Sequence, residues 1–243
     1  MIHAIVTGHS RGLGHALAAD LLARGARVLG LARTGHAGLL AAYPDQLQQV
    51  TLDLSDTTAL AAWLGSGALP AWLAGAHTVL LINNAGLVKP IAPLGRQGGQ
   101  AIADAVALNV AAPLMLSDAL VPASPGCADR RIAHISSGAG RNAYAGWSVY
   151  CATKAALDMH AQAAAQDGVP GLRVASIAPG VVDTAMQADI RASSEADFPQ
   201  RGRFEALQRE GQLATPADVA QRLLDYVLSP AMGGQAVADL RSL

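Results

Sequence analysis

The chain is poor in cysteine, in aromatic residues and in charge, and each shortage closes off a class of protein. Its two cysteines, Cys127 and Cys151, have neither C-x-x-C nor metal-ligand spacing, which argues against a disulfide framework and against a zinc site, so no metal is expected. Charged residues make up 14% of the chain and the formal net charge is -1, which gives no electrostatic case for nucleic acid or an anionic membrane. No uninterrupted apolar run reaches the roughly 18 residues of a membrane span. The N-terminus runs straight into a strand-like segment, without the basic and long apolar regions of a secretory signal. These absences predict a cytoplasmic protein with neither nucleic acid nor membrane as a partner.

Apolar residues, at 51%, are plentiful, and 243 residues suffice for one large core without requiring two domains. Strand-like runs near 2–6, 26–32, 48–52, 78–83, 130–136, 172–178 and 235–238 alternate with longer helical patterns, the signature of βαβ units. The stretch from Pro122 to Gly126 reads as a helix-to-strand loop. There is no repeat, low-complexity tract or linker.

The first strand candidate is followed by TGHSRGLG, Thr7 to Gly14, and then by a helical pattern. In that setting Gly8 permits a tight turn, Gly12 lets a phosphate approach the backbone, and Gly14 lets helix pack on strand. The helix N-terminus favours a pyrophosphate. The loop from Gly8 through Ser10, Arg11, Gly12 and Leu13 to Gly14 is the candidate dinucleotide site. The prediction is a single doubly wound α/β domain of Rossmann type over 1–243, with a mainly parallel seven-stranded sheet.

Further along, Ser137 to Lys154 reads SGAGRNAYAGWSVYCATK. Tyr150 and Lys154, four apart, share a helix face, so the ammonium can act on the phenol. A phenol with an ordinary pKa of about 10 needs such a cation to exchange its proton near neutrality. Ser137, where a preceding strand ends, could hold the substrate oxygen while Tyr150 hands over a proton. Cofactor choice turns on the second strand, where an acid at its end would bind the ribose 2′-hydroxyl of NAD. Ala32 and Arg33 stand there instead, with Arg11 in the glycine loop. Two guanidinium groups suit a 2′-phosphate, which predicts NADP(H).

TGHSRGLG, the NNAG at Asn83 to Gly86, Asn109, Ser137, YCATK at Tyr150 to Lys154 and APGVVDT at Ala178 to Thr184 together resemble the short-chain dehydrogenase/reductase family over essentially the whole chain. LINNAGLVKPIAPLG, YAGWSVYCATKAALDM and GVVDTAMQADIRASS are similar to the sepiapterin reductases and bacterial benzil reductases within it. The resemblance implies that Asp53 and Leu54 touch the adenine and that Asn84, Ala85 and Gly86 pass under the adenosine ribose. It implies that Pro179, Gly180, Val182 and Thr184 shape the nicotinamide pocket. Tyr150 and Lys154 would also touch the cofactor, and Asn109 would bend its helix and hold a water in a relay to Lys154. Asp53 has an alternative as a helix cap, and Asn83 reads as a structural hydrogen-bonding residue. Family members commonly pair through the helices after Gln100 and containing Tyr150, so a homodimer is expected, with a tetramer open.

The nine aromatic residues are placed unevenly. Tyr144 and Trp147 precede Tyr150, and both phenylalanines, Phe198 and Phe204, lie in 185–212, where nine of 28 residues are charged. That segment, with Met186 at its start, reads as a substrate lid. Its aromatic walls suit a planar or aryl substrate, although pinning the lid to the core is the alternative role of the phenylalanines. In sepiapterin reductases a carboxylate near the C-terminus anchors the pterin, and Asp239 is the nearest candidate. The expectation is an NADPH-dependent reductase of a ketone or α-dicarbonyl, sepiapterin- or benzil-like. The alternatives are a same-fold oxidoreductase of a sugar, steroid or acyl ketone, and a non-catalytic NADP-binding sensor. The joint presence of Ser137, Tyr150, Lys154 and Asn109 argues against the sensor, because a binding module needs no proton donor.

Overall fold

In the computed structural model, which describes residues 1–243, β1 (Ile2–Thr7) is buried along all but its first residue. Both of its faces are covered, which is why its sequence is an apolar run and not an alternation. It pairs with β2 (Arg27–Ala32) on one side and β4 (Thr78–Asn83) on the other. β3 (Leu47–Thr51) extends the sheet beyond β2. β5 (Asp129–Ile135), β6 (Leu172–Ala178) and the short β7 (Val237–Asp239) extend it beyond β4. The order is β3-β2-β1-β4-β5-β6-β7, with every pair parallel.

Alternation along the strands divides the core between the two faces. Ala4, Val6, Leu80 and Ile82 pack with Leu17 and Leu21 of α1 (Gly12–Ala23). Small α2 (Ala37–Ala42) and the C-terminal α10 (Pro216–Leu228) complete that layer through Leu39, Leu223 and Leu224. Ile5, Leu29, Val79 and Leu81 face α3 (Thr57–Gly65), α4 (Ala68–Leu73), α6 (Ala112–Ala123) and α7 (Ser148–Gln166). The remaining helices are α5 (Gly99–Val106), α8 (Ala185–Arg191) and α9 (Arg201–Arg209).

Two details differ from the sequence reading. Pro122 lies inside α6, not in a loop; in the last turn its missing N–H removes one backbone bond, and the helix stops one residue later. Gly99–Ala123 forms one helical run of 25 residues with mean hydropathy 1.5, long and apolar enough to cross a membrane by composition. Its Ala112, Leu116, Leu120 and Ala123 pack into the core beneath the sheet, which accounts for that apolarity.

Because the sheet runs outward in opposite directions from β1 to β2 and from β1 to β4, the strand ends diverge there into a crevice. Asn83, at the end of β4, is buried and anchors the floor. Its Nδ2 lies 3.1 Å from His134 Nδ1 and 3.4 Å from the Pro113 carbonyl. His134 Nε2 in turn lies 3.0 Å from His160 Nδ1.

Burial drives the His134 pKa down to about 3, with His160 and Lys154 nearby adding to the effect. Burial also lowers His3, His9, His15 and His160. Below the ordinary imidazole value the unfolded chain therefore binds more protons than the folded one. Stability is full above about pH 6.5 and falls as pH drops, at about 1.4 kcal/mol per pH unit for each proton of difference. The urea midpoint should fall between pH 7 and 5, above the carboxylate range; a constant midpoint contradicts this.

Candidate active site

α7 starts at the mouth of the crevice and carries Tyr150 and Lys154 on its inward face, both buried. The Lys154 Nζ lies 5.7 Å from the centre of the Tyr150 ring and donates to the Ile135 carbonyl at 2.8 Å. Ser137, two residues past the end of β5, is extended, and its Oγ accepts from Ala139 N–H at 3.1 Å, which leaves its own proton free to donate. Asn109 sits in a single π-helical turn, Ala107–Ala111, between α5 and α6. Its amide clamps Leu87: Oδ1 accepts from Leu87 N–H at 2.9 Å and Nδ2 donates to the Leu87 carbonyl at 2.8 Å. A Cβ on Gly86 would lie 3.2 Å from Asn109 Oδ1 and 3.6 Å from Lys154 Nζ, so glycine lets the strand-end turn press against both.

Burial sets the protonation states. It pushes the Tyr150 phenol up to about 12, against a smaller downward pull from the Ser137 hydroxyl. It pulls the Lys154 ammonium down to about 8, against the Asp158 carboxylate, which favours the charge. The expectation that Lys154 holds the phenol's pKa down is not met: only the Ser137 hydroxyl pulls it down, and desolvation outweighs that pull. Tyr150 is a neutral acid near pH 7, and Lys154 is a cation close to its titration point.

Asp158, one turn beyond Lys154, was not singled out from the sequence, where it looks like any helical acid. Its buried Oδ1 accepts from Ser136 Oγ at 2.7 Å and Ser176 Oγ at 2.6 Å, joining α7 to the ends of β5 and β6. Gly140 has no side chain where Asp158 Oδ2 lies 2.8 Å from its would-be Cβ.

On the other side of the crevice, the chain fits a dinucleotide. Gly8 and Gly12 take positive φ of 70° and 56°, a region costly for other residues. A Cβ at Gly14 would collide with the Gly8 carbonyl and Asn84, and one at Gly12 would stand 3.3 Å from Thr184 Cγ2. Arg11, the residue before α1, provides no side-chain cap, so the first-turn N–H groups of that helix are available to an anion. Thr7 Oγ1 accepts from both Asn84 N–H and Ala85 N–H at 2.9 Å, fixing the NNAG turn beside the glycine loop. Thr7 opens the TGHSRGLG motif, but sequence reasoning gave it no role, because its partners lie across the sheet after β4.

Leu54 is buried beyond β3, and the Asp53 carboxylate accepts from Ser55 N–H and Oγ at 2.9 and 2.7 Å. Asp53 does not cap the next helix; Asp56 does, accepting from Ala59 N–H. Arg11 and Arg33 are exposed and Ser10 is half-buried, whereas Leu13 packs into the core beneath the loop. Pro179, Gly180, Val182 and Thr184 follow β6 at the same end of the sheet, Val182 bridging to Ala214.

Above Tyr150 lies an aromatic cluster. Trp147 stacks on Phe198 at 4.4 Å and 15°, meets Tyr150 edge-on at 5.3 Å, and packs with Tyr144 and Phe204. Phe198 is fully buried and Met186 packs at the margin. Met186, Ile190, Phe198, Phe204 and Leu207 of this segment thus share a small core with Tyr150. Lys89 pairs with Asp189 at 3.0 Å and Arg96 pairs with Asp197, fastening the segment to the loop after β4. Asp239 reaches the same end of the sheet. Its carboxylate is held by Arg241 at 2.7 Å and faces Arg141 at 3.9 Å, which keeps it ionised with a pKa of about 2.

A doubly wound parallel sheet with a phosphate-cradling loop on one side of its switch point and a Ser, Tyr and Lys on the other defines a nucleotide-dependent oxidoreductase. Comparison makes this specific. The family model for short chain dehydrogenases matches residues 2–195. The chain is 35% identical over 230 residues to the benzil reductase ((S)-benzoin forming) of Bacillus cereus, covering 92% of each. It is 34% identical over 238 residues to the sepiapterin reductase of Meriones unguiculatus, covering 92% of this chain and 90% of that one. A crystal structure of a short-chain dehydrogenase/reductase from Burkholderia vietnamiensis is 49% identical, with TM-score 0.73, covering 100% of this chain and 98% of that one. The chain belongs to the short-chain dehydrogenase/reductase family, oxidoreductases that act on carbonyl and alcohol groups with a nicotinamide cofactor.

The stacked Phe198 anchors residues 185–212, so Phe198→Ala should cost about 3–5 kcal/mol in urea unfolding. A loss below about 1 kcal/mol would show that the stack contributes little.

Proposed function

We propose that the protein is an NADPH-dependent carbonyl reductase that converts an α-dicarbonyl or aryl ketone to the hydroxy compound. One observation carries the reading most: a buried, neutral Tyr150 within hydrogen-bonding reach of the Ser137 hydroxyl, under a wall of Trp147, Phe198 and Phe204. The Ser137 O–H donates to the substrate carbonyl oxygen and orients it. As negative charge develops on that oxygen, the Tyr150 O–H bond breaks and its proton completes the new hydroxyl. The Lys154 ammonium stabilises the phenolate left behind, and Asn109 holds the turn at Leu87 and Gly86 against the lysine. When bound, the nicotinamide supplies hydride to the carbonyl carbon.

The glycine loop, Asp53, Leu54 and Asn84 to Gly86 would hold the adenosine and pyrophosphate, and Arg11 and Arg33 the 2′-phosphate. Lys154, Tyr150 and the run from Pro179 to Thr184 would hold the nicotinamide riboside. Residues 185–212 act as the lid. The aryl preference rests on ring stacking with Trp147 and the lid phenylalanines. The Trp147 Nε1–H is buried with no acceptor of its own, so a second substrate carbonyl that reached it would satisfy an otherwise unpaired donor. This supports an α-dicarbonyl over a simple ketone, in line with the benzil and sepiapterin reductases among the relatives. Asp239, already engaged by Arg241, is the weaker candidate for a substrate anchor. Exposed Val106 in α5 and Met159 in α7 are in line with a homodimer that pairs through the helices after Gln100 and containing Tyr150.

NADPH oxidation with benzil, sepiapterin and a simple ketone, for wild type and Tyr150→Phe, tests the proposal. Turnover should favour the dicarbonyls and NADPH over NADH. Tyr150→Phe should keep NADPH binding and lose at least about a hundredfold in kcat. Equal use of NADH refutes the cofactor reading, and substantial residual turnover in the variant refutes Tyr150 as the acid.

A further inference from the structure

The loop after β2 carries Arg33, and its residues Arg33, Thr34 and Gly35 are exposed. An arginine that reads a 2′-phosphate from such a loop is only as selective as the loop is fixed, because long side chains lose rotamer entropy on binding. One side chain from β3 fixes it. Gln49 Oε1 accepts from the His36 backbone N–H at 2.5 Å, and Gln49 Nε2 faces the His36 carbonyl at 3.4 Å, so the amide pairs with the loop as a neighbouring strand would.

The same Oε1 lies 2.8 Å from Nε2 of His9, in the glycine loop. Because that oxygen can only accept, the neutral His9 carries its proton on Nε2 and donates. The His9 ring is fully buried and occupies the space over Gly30 where any Cβ would collide with it. Gln49 is therefore a fork that binds the Arg33 loop and the Arg11 loop to one point. No ion pair in the structure engages either arginine.

We propose that Gln49 is a positioning residue that sets selectivity for a dinucleotide bearing a 2′-phosphate, by holding the Arg33 loop at a fixed reach from the glycine loop. This rests on the NADP(H) reading above. The pyrophosphate end of the glycine loop has its own support from the Thr7 and Asn84 bonds. Loosening Gln49 therefore weakens recognition of the 2′-phosphate and leaves the rest of the dinucleotide held.

The test is calorimetric titration of the full-length protein with NADP+ and with NAD+, for wild type, Gln49→Leu and Arg33→Ala, together with kcat and KM for NADPH. Gln49→Met serves if the leucine variant fails to fold. Gln49→Leu should raise the Kd for NADP+ about tenfold and the NADPH KM with it, while the Kd for NAD+ and kcat change by less than about twofold. Equal weakening of both cofactors, or no change in either, overturns the proposal. If Arg33→Ala weakens NADP+ binding while Gln49→Leu does not, this inference alone fails. If Arg33→Ala leaves NADP+ binding unchanged, the cofactor reading fails first.

Discussion

Burial of an ammonium and a phenol on one face of one helix is the constraint around which the active end of this protein is arranged. A charged lysine in an apolar setting is tolerated only with hydrogen-bonding and charge partners. The Ile135 carbonyl supplies the first and Asp158 the second. Asp158 is itself buried, so Ser136 and Ser176 must donate to it, which fixes the ends of β5 and β6 against α7. Ser137 follows directly from that clamp. The positions of the serine, tyrosine and lysine are therefore consequences of satisfying one buried charge.

The glycine positions follow from the same crowding. Gly86 has no side chain because Asn109 and Lys154 lie against it, Gly140 because Asp158 and the Lys154 backbone do, and Gly14 because Gly8 and Asn84 do. Thr7 joins the two halves of the crevice by accepting two N–H groups from the turn after β4. The parallel sheet supplies the crevice, and these close approaches set the glycine loop on one wall and the Tyr150 phenol on the other.

Much of this was legible in the sequence. The strand-like runs matched all seven strands within about two residues; β1 and β4, covered on both faces, show the continuous apolar pattern, whereas edge strand β3 is half polar. Tyr150 and Lys154 were legible because helical spacing is local. The supporting residues were not, since their significance depends on pairings across the sheet. Asp158 meets serines 18 and 22 residues away in the chain, and Gln49 meets His9 across β2. The sequence also suggested that Lys154 would acidify the phenol, because adjacency is readable from spacing and desolvation is not. The lid phenylalanines were read with two roles open, and Phe198 is fully buried against Trp147. Pro122 was read as a breaker, although a helix's last turn can hold one.

The central claim is that burial keeps Tyr150 a neutral proton donor. Absorbance titration of phenolate, taken as the difference between wild type and Tyr150→Phe, tests it most directly. The account predicts no Tyr150-dependent phenolate up to pH about 10, the ordinary tyrosine value. A Tyr150-dependent signal with its midpoint near neutral pH would contradict it.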